Sequence, residues 1–420
     1  MTESEYRKYL FPADNERLVG IRKIKDAYEY REAAKVDAFT GQLIKGWEPL
    51  YFNEFTGVTS DGNVIPDLYH LGAVATGDEA PTAAMVDAAN AFLASLTSEQ
   101  REKVQYEVTA KQWQGWANPE FMQHDIGLRM EFEPEATKQG ALAIMAASLS
   151  PEGYTFARNL MKINGFLGDL NGIPQVMNEF SYNFAIYGEP SLTAPWGWHW
   201  YGHHVVINCL VVGTQMVMTP VFLAAEPDLI DEGPDKGVVV FAGRIELGHK
   251  IMDALTPAQR AKAITYNDMM NDPAMPADRY HPGDGLHLGG AFQDNRVIPY
   301  EGVCLAECSD EAKKAVSAFV ADFIAYMPEG PRRVRQREIE DHYDETYFSW
   351  IGGTERGDVY YLRIQSPVLL MEIDHHCGVF LSNETPARFH MHTDCRTPNG
   401  NDYGKALVAQ YFDAHPDERP

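Results

Sequence analysis

Two histidines that alternate on one predicted strand are the strongest candidates for chemistry in this sequence. His390 and His392 are separated by one residue, and alternate residues of a strand face the same side with Cα atoms about 7 Å apart. Two imidazoles placed in this way can bind one metal ion. On the preceding predicted strand, Glu372 and Asp374 alternate in the same manner and would add carboxylates to the site. The alternative is an ordinary polar strand face.

A second candidate group is the adjacent pair His203 and His204. The pair precedes an apolar run, residues 205–212, that is typical of a buried strand. Adjacent residues of a strand face opposite sides, so we expect one histidine to bind the metal and the other to orient a neighbouring group. The alternative is a core histidine that donates to a backbone carbonyl. The predicted metal ligands are therefore His203, His204, His390 and His392.

Aromatic residues just before this pair predict a substrate pocket. Trp196, Trp198 and Trp200 are candidates for its walls, and His199 lies between two of them as a candidate for stacking on a substrate. Aromatic side chains with a few polar groups are the usual lining of a small-molecule site.

Charged residues of the C-terminal third supply candidates for substrate binding and acid–base chemistry. Arg363 and Arg396 could each bind a substrate carboxylate through two hydrogen bonds, or they could neutralise the nearby acidic residues. Glu372 is a candidate general base or fourth metal ligand, and His342 with Asp344 could form a base and its orienting carboxylate. Alternatively, residues 341–347 are a helix end with a solvated charge cluster. Weaker ligand candidates are His281, Asp284 and His287 on a long loop and His375 with His376 at a strand end.

The elements that carry these residues predict an α+β fold. Apolar residues recur with a period near 3.6 in the N-terminal half, and Ser150–Gly153 interrupts a helical pattern over residues 136–170. Strand patterns follow at residues 205–223, 358–374 and 387–392. We expect a helix-rich N-terminal half packed on a mainly antiparallel sheet. The protein would have a single large domain at residues 81–413. An irregular segment, 1–80, would precede this domain, and a tail, 414–420, would follow it. Residues 267–300 are expected to be a functional loop or lid.

Composition restricts the partners. The chain has 35 Lys and Arg against 60 Asp and Glu, a net charge of −25, which repels nucleic acid and anionic membranes. The first residues lack the apolar segment of a secretory signal, no transmembrane run is present, and the five cysteines are scattered. These features favour a cytoplasmic protein without nucleic-acid or membrane partners. The oligomeric state stays open, a homodimer included.

Several ordered blocks of the sequence resemble the domain-of-unknown-function 3500 (DUF3500) family. They are YGEPS (187–191), PWGW (195–198), GHH (202–204), TPVF (219–222), AEP (225–227), LTPAQR (255–260), HYDETYFSWIGG (342–353), YYLRIQSPVLLMEIDHH (360–376) and HMHTDCRTPNGNDYG (390–404). The resemblance covers about residues 80–413. It implies that the GHH and HMH histidines belong to one domain, which supports a shared site, and it implies no particular activity.

The residues favour a metal-dependent enzyme that acts on a small organic molecule, aromatic or carboxylated. Metal-activated water would hydrolyse the substrate or cleave a C–C or C–O bond. The cofactor would be a divalent transition metal, with zinc, iron, manganese and copper all compatible with these ligands. One alternative is a non-haem iron or copper oxygenase. Another is a non-catalytic protein that binds a small molecule, with hydrogen-bonded histidines in its core.

Overall fold

The computed structural model describes residues 4–420, and helices and strands alternate in blocks along them. The α-helices are α1 (Glu16–Ile21), α2 (Ala27–Val36), α3 (Thr40–Tyr51), α4 (Thr82–Ser95), α5 (Ser98–Val104), α6 (Glu135–Ser148), α7 (Pro151–Asn171), α8 (Ala242–Ala254), α9 (Pro257–Ala263), α10 (Asp310–Phe323), α11 (Glu329–Asp341) and α12 (Lys405–Ala414). Short 3-10 helices lie at Glu5–Tyr9, Lys111–Gln114, Met130–Phe132, Leu305–Glu307, Tyr343–Glu345, Asp402–Gly404 and Pro416–Glu418.

The strands belong to one sheet. They are β1 (Gln105–Tyr106), β2 (Leu128–Arg129), β3 (Tyr182–Tyr187), β4 (Trp196–Gly202), β5 (Val205–Val212), β6 (Gln215–Val217), β7 (Val221–Ala225), β8 (Ile264–Tyr266), β9 (Val303–Cys304), β10 (Tyr347–Gly352), β11 (Tyr360–Ser366), β12 (Leu369–His376) and β13 (Ala387–Arg396). Their order is β1-β3-β4-β5-β7-β13-β12-β11-β10-β8, with β2, β6 and β9 paired beside β3, β5 and β10. The pairs β1–β3 and β10–β8 are parallel, and the other described pairs are antiparallel. The fold is therefore α+β, as the sequence predicts.

The two sides of the sheet contact different parts of the chain. One side, the helix face, packs its apolar residues against α4, α6, α7, α8 and α10. The other side, the cleft face, packs against α1, α2, α3 and α12. Residues 267–300 also cross the cleft face, where they bond to side chains of β12 and β13. Alternation along each strand decides which core a residue joins.

Capping residues set the helix boundaries that the sequence predicts for the N-terminal half. The Ser150 side chain accepts a hydrogen bond from the backbone N–H of Gly153, and Pro151 occupies the first turn of α7. Proline is favourable there because its missing N–H would have no helical partner. Residues 136–170 consequently form two helices, α6 and α7, as predicted.

Three local expectations differ from the structure. Residues 47–51 complete α3, although they lie in the segment 1–80 that the sequence predicts to be irregular. Within the predicted strand pattern at 205–223, the part after residue 214 forms two strands, β6 and β7. Residues 238–243, whose VVVFAG sequence favours a strand, contribute one isolated bridge at Val239 and the start of α8. Within the described part of the N-terminal segment, three helices cover 16–51, and residues 52–80 contain no helix or strand.

Candidate metal centre

Five buried histidines meet on the cleft face of the sheet. Two sets of three each bring one nitrogen per residue to within 4.8 Å of the others. The first set is His204, His390 and His392, and the second is His287, His376 and His392. His392 belongs to both sets, so the two groups form one continuous cluster.

The central strands position three of these side chains. On β13, His390 and His392 face the cleft side, while Met391 between them packs into the core of the helix face. On the neighbouring β12, Asp374 lies opposite His392 in the strand register. His376, two residues further on, therefore projects on the same side as Asp374 and stacks against His392 with ring centroids 4.2 Å apart.

His203 and His204 lie in the tight turn between β4 and β5, and not on a strand as the sequence pattern predicts. His204 has φ of 65°, in the left-handed region that few non-glycine residues adopt. Its carbonyl accepts from the N–H of Ala224 at 2.8 Å, and its N–H donates to the carbonyl of Asn118. In this turn the two rings stack, with centroids 3.7 Å apart. Both histidines therefore reach the cluster, with only His204 in a ligand set.

A loop strapped to the sheet supplies His287. The carboxylate of Asp374 accepts the N–H of Leu286, and Glu372 accepts the N–H groups of Leu288 and Gly289. The next two carbonyls, of Gly289 and Gly290, accept from the guanidinium of Arg396. These bonds fix the backbone on both sides of His287, whose side chain is buried.

The hydrogen bonds of His390 define its tautomer. Its Nδ1 lies 2.7 Å from the carbonyl oxygen of Cys377, and a carbonyl can only accept, so Nδ1 carries the proton. Its Nε2 is left with a lone pair and lies 3.0 Å from Nε2 of His392. Two nitrogens that bind one tetrahedral zinc at 2.0–2.1 Å are about 3.4 Å apart. The observed separation is close to that of two ligands of a shared ion.

Burial keeps the imidazoles of the first set neutral. Loss of solvent lowers the pKa of His204, His390 and His392 well below the ordinary value, and neighbouring histidines lower it further. Burial also lowers the pKa of His376. At His287 burial acts in the same direction, but Asp374, Asp284 and Glu372 outweigh it and raise the pKa. Neutral imidazole is the form that binds metals.

The cluster contains several buried polar atoms that lack hydrogen-bond partners among residues 4–420. They are both ring nitrogens of His287 and His376, Nδ1 of His392, and one carboxylate oxygen each of Asp284 and Asp374. A buried polar group without a partner costs about 1–3 kcal/mol. So many in one place fit a cationic ligand that these lone pairs would bind.

A cleft of about 770 Å³ leads from the surface to the cluster. His203, His204, His376 and His392 lie along it. Its outer part is formed by residues 11–47, which include apolar side chains of α1, α2 and α3 such as Leu43. The cleft is large enough for a small organic molecule.

Comparison with known families adds one finding. A family described as a protein of unknown function (DUF3500) matches residues 78–405. The chain belongs to the DUF3500 family. No curated protein and no solved structure matches it. In the described residues of this DUF3500 protein, no helix is both long enough and apolar enough to cross a membrane. All five clustered histidines lie inside the matched span, whereas the outer part of the cleft, residues 11–47, lies before it.

The tryptophans of this DUF3500 protein do not form the walls of its cleft. Trp196, Trp198 and Trp200 are fully buried in the core of the helix face, on the other side of the sheet from the histidine cluster. Strand alternation is the physical reason. The three tryptophans are alternate residues of β4 and share one side of the sheet, so His199 faces the cleft side. His199 does not line the cleft, and contacts Tyr187 and Tyr201 in a buried aromatic group. These four residues are core side chains in the structure.

The two candidate arginines are held by protein groups. Arg396 is fully buried and donates to two backbone carbonyls and to the carboxylates of Asp294 and Asp402. Arg363 is buried as well and donates to the carbonyl of Pro299 and the carboxylate of Glu301. Neither guanidinium is open to a substrate carboxylate, so both have a structural role in this geometry.

The three candidate acid–base residues also lie outside the histidine sets. Glu372 accepts from backbone N–H groups of the loop and from the Tyr361 hydroxyl, so its lone pairs are already used. His342 follows α11 and bonds to Glu345, and Asp344 faces Lys313. His342 and Asp344 precede strand β10, which is the third strand from β13 in the sheet. Strand spacing therefore places them about 15 Å or more from His392.

Two residues of the cluster, His287 and His376, were only weak candidates in the sequence. His287 lies in a loop with irregular spacing, and loop paths cannot be read from periodicity. His376 follows Glu372 and Asp374 at the same alternation on β12, and this pattern was the available signal. The position of His376 at the strand end weakens this signal.

Proposed function

We propose that this protein is a metal-dependent enzyme that acts on a small organic molecule with a largely apolar body. One divalent ion would bind to His204, His390 and His392. The observation that carries the proposal is this set of three buried, neutral imidazoles beside a cleft. Three histidine ligands with an open fourth position are a known arrangement of catalytic zinc.

The ion would polarise a substrate carbonyl and lower the pKa of bound water toward neutrality. The chain supplies orientation. The carbonyl of Cys377 holds the His390 ring so that Nε2 points to the site, an outer contact of the kind that fixes the tautomer of a ligand. We therefore favour hydrolysis, or cleavage of a C–C or C–O bond, with activated water as the nucleophile.

His203 is the proposed proton acceptor. Its Nδ1 lies 2.8 Å from Oδ1 of Asn164, and the amide nitrogen of Asn164 donates to the carbonyl of Asn178. That second bond fixes the amide orientation, so Nδ1 of His203 is the donor and Nε2 keeps its lone pair. Burial lowers the pKa of His203 to about 4, so the ring is unprotonated at neutral pH. It lines the cleft beside His204.

The cleft favours an uncharged substrate over a carboxylate. In the described part of the chain, Arg17 is the one Lys or Arg that lines it. Arg17 already donates to the carbonyl of Val379 and lies 3.8 Å from the carboxylate of Glu120. Glu16 and Asp37 add negative charge at the same surface. With Arg363 and Arg396 also engaged, no free cation is available to hold a substrate anion there.

Metal-dependent turnover tests the proposal. Protein stripped with a chelator would be reloaded separately with zinc, iron, manganese or copper. It would then be assayed on uncharged esters, lactones and amides with alkyl or aryl groups. We expect turnover that requires the metal, is lost in His392→Ala and is kept in the surface variant His70→Ala. Metal at the cluster without turnover of any of these compounds would contradict the hydrolytic function.

A copper oxygenase is the second candidate. Both histidine sets lack a carboxylate, so they differ from the two-histidine, one-carboxylate site of non-haem iron oxygenases, while imidazole suits copper. Oxygen consumption, recorded in the same assays with a reductant present, distinguishes the copper oxygenase from the hydrolytic enzyme. Uptake of O₂ by the copper-loaded protein alone would favour the oxygenase.

A further inference from the structure

The second histidine set contains ring nitrogens that have no hydrogen-bond partner and that an ion bound at the first set would not reach. If a single ion bound to His204, His390 and His392, both nitrogens of His287 and of His376 would still be buried without hydrogen-bond partners. His287 lies on the loop, and His376 lies at the end of β12.

His392 has the atoms to serve both sets. Its Nε2 faces Nε2 of His390, and its Nδ1 is buried and has no partner among the described residues. An imidazole that loses its second proton can bind one ion through each nitrogen. The stacked ring of His376 lies on one side of His392, and the His287 ring lies 5.6 Å away, centroid to centroid.

Two carboxylates border the second set. Asp374 has an oxygen 3.7 Å from Nδ1 of His287, and Asp284 has an oxygen 3.7 Å from Nε2 of the same ring. The other Asp374 oxygen is buried and unpaired, and so is the Asp284 oxygen that faces His287. Whichever nitrogen of His287 binds an ion, the other can donate to a carboxylate, which is the usual outer contact of a ligating histidine. The negative charge of Asp374 and Asp284 also offsets the positive charge of a second cation.

The hydrogen bonds of the loop hold His287 in a buried position beside His392. Six backbone and side-chain bonds from Glu372, Asp374 and Arg396 hold residues 286–290 against the sheet. They bury His287 although it gains no hydrogen bond of its own. A bound ion at this ring would supply the missing interaction.

We propose that a second divalent ion binds to His287, His376 and His392, so that His392 bridges a dinuclear centre. The proposal rests on the proposed metal-dependent function and extends it. Binding of the second ion would release the remaining ring proton of His392 to solvent. Two ions would then face the cleft, where one can hold a substrate oxygen while the other supplies the nucleophile.

Metal stoichiometry in matched variants tests the bridge. Chelator-stripped protein would be titrated with Cu²⁺, and the bound copper would be counted by elemental analysis after desalting. We expect two equivalents in the wild type and one each in His390→Ala, His287→Ala and His376→Ala. His392→Ala should lose both high-affinity sites. His70→Ala, at an exposed histidine that is in neither set, should keep two.

Electron paramagnetic resonance provides a readout that a purely structural role would not change. Two Cu²⁺ ions joined through one imidazolate couple magnetically, so the signal of the wild type should account for less than half of its copper. In His287→Ala the remaining ion is isolated, and the signal should account for all of it. Circular dichroism would show whether each variant is folded, and the wild-type result stands without the variants.

The outcomes separate the two proposals. One equivalent in the wild type, lost in His390→Ala and kept in His287→Ala, would overturn the dinuclear centre and leave the proposed function intact. Two equivalents with a full, uncoupled signal would overturn the bridging role of His392. Two coupled ions in a protein without turnover would support the centre and contradict the enzymatic function. No bound metal would overturn both.

Discussion

Nε2 of His390 and Nε2 of His392 lie 3.0 Å apart in a buried site. His390 keeps its proton on Nδ1 because the carbonyl of Cys377 accepts it. In the absence of an ion, His392 must therefore donate from Nε2, which leaves its Nδ1 buried as an unpaired acceptor. A metal between the two rings would bind both Nε2 atoms, and the proton of His392 would then lie on its Nδ1.

The buried carboxylate of Glu226 should control metal affinity from outside the cluster. It accepts the N–H groups of Val379, Phe380 and Leu381, and it lies 3.7 Å from Nδ1 of His390. These bonds fix the turn whose Cys377 carbonyl orients His390. Glu226→Gln replaces one of the two acceptor oxygens of this side chain with an NH₂ donor, and we expect metal affinity to fall about 10–100-fold with the fold retained.

A competition titration against a chromophoric chelator measures this effect. Glu99→Gln, on an exposed part of α5, is the matched control and should bind metal like the wild type. Equal affinity in Glu226→Gln and the wild type would show that the turn does not position His390.

Trp198 should matter for stability and not for the metal centre. It is fully buried on the helix face, and its indole N–H donates to the Ser148 hydroxyl at 2.9 Å. Trp198→Phe removes that bond and leaves a small cavity, so we expect the free energy of unfolding to fall by about 1–3 kcal/mol. Denaturant unfolding and metal analysis would be run on the same preparation. A change in metal content at unchanged stability would place this side chain at the site after all.

His199 should make stability depend on pH. Burial lowers its pKa to about 3 in the folded state, against 6.5 for the free side chain. Because the folded-state pKa is the lower one, the unfolded chain takes up the proton first. The stabilisation is complete above pH 6.5 and is lost as the pH falls toward 3. Between pH 7 and 5 this one group accounts for a loss of about 2 kcal/mol.

Replacement with a ring that cannot titrate isolates this contribution. Unfolding free energies of the wild type and of His199→Phe would be measured at pH 7 and pH 5 with chelator present, so that metal binding does not change with pH. The variant should lose about 2 kcal/mol less over this interval. Parallel pH dependence of the two proteins would refute the assignment.

The outer part of the cleft should select the substrate. Leu43 of α3 lines it close to Gly283 on the loop. Leu43→Asn would leave the metal ligands untouched but reduce the apolar surface available to a substrate. We expect KM for an alkyl or aryl substrate to rise about tenfold, since one buried apolar side chain contributes about 1.5–3 kcal/mol when fully engaged. Leu192→Asn, at an exposed leucine that does not line the cleft, should leave KM unchanged, and a similar rise there would discount the cleft.

Periodicity predicted the parts of this protein that depend on local sequence. The strand carrying His390 and His392 and the helices on either side of Ser150 follow from alternation and capping. The side of the sheet that each residue faces was harder to assign. Proximity in sequence favours a shared site for the tryptophans and the two histidines, Trp196, Trp198, Trp200, His203 and His204. The β4–β5 turn reverses the chain and brings the histidines to the other face.

Long-range contacts explain the remaining differences. His287 reaches the cluster because Glu372 and Asp374, more than eighty residues away in sequence, accept N–H groups of its loop. No local pattern encodes such a contact. The same bonds occupy Glu372, which the sequence alone favoured as a general base. His390 and His392, which alternate on one strand, were therefore predictable from the sequence. The position of His287 and the roles of the buried charges depend on tertiary structure.

Anomalous X-ray diffraction would locate the proposed metal ion at His390 and His392. Crystals of zinc-loaded protein would be measured on both sides of the zinc absorption edge. We expect an anomalous peak about 2.0–2.1 Å from Nε2 of both His390 and His392, with His204 as the third ligand. A map without a peak at the cluster, in crystals whose solution contains excess zinc, would contradict it. In that case the Nε2 atoms of His390 and His392 would simply share a hydrogen bond.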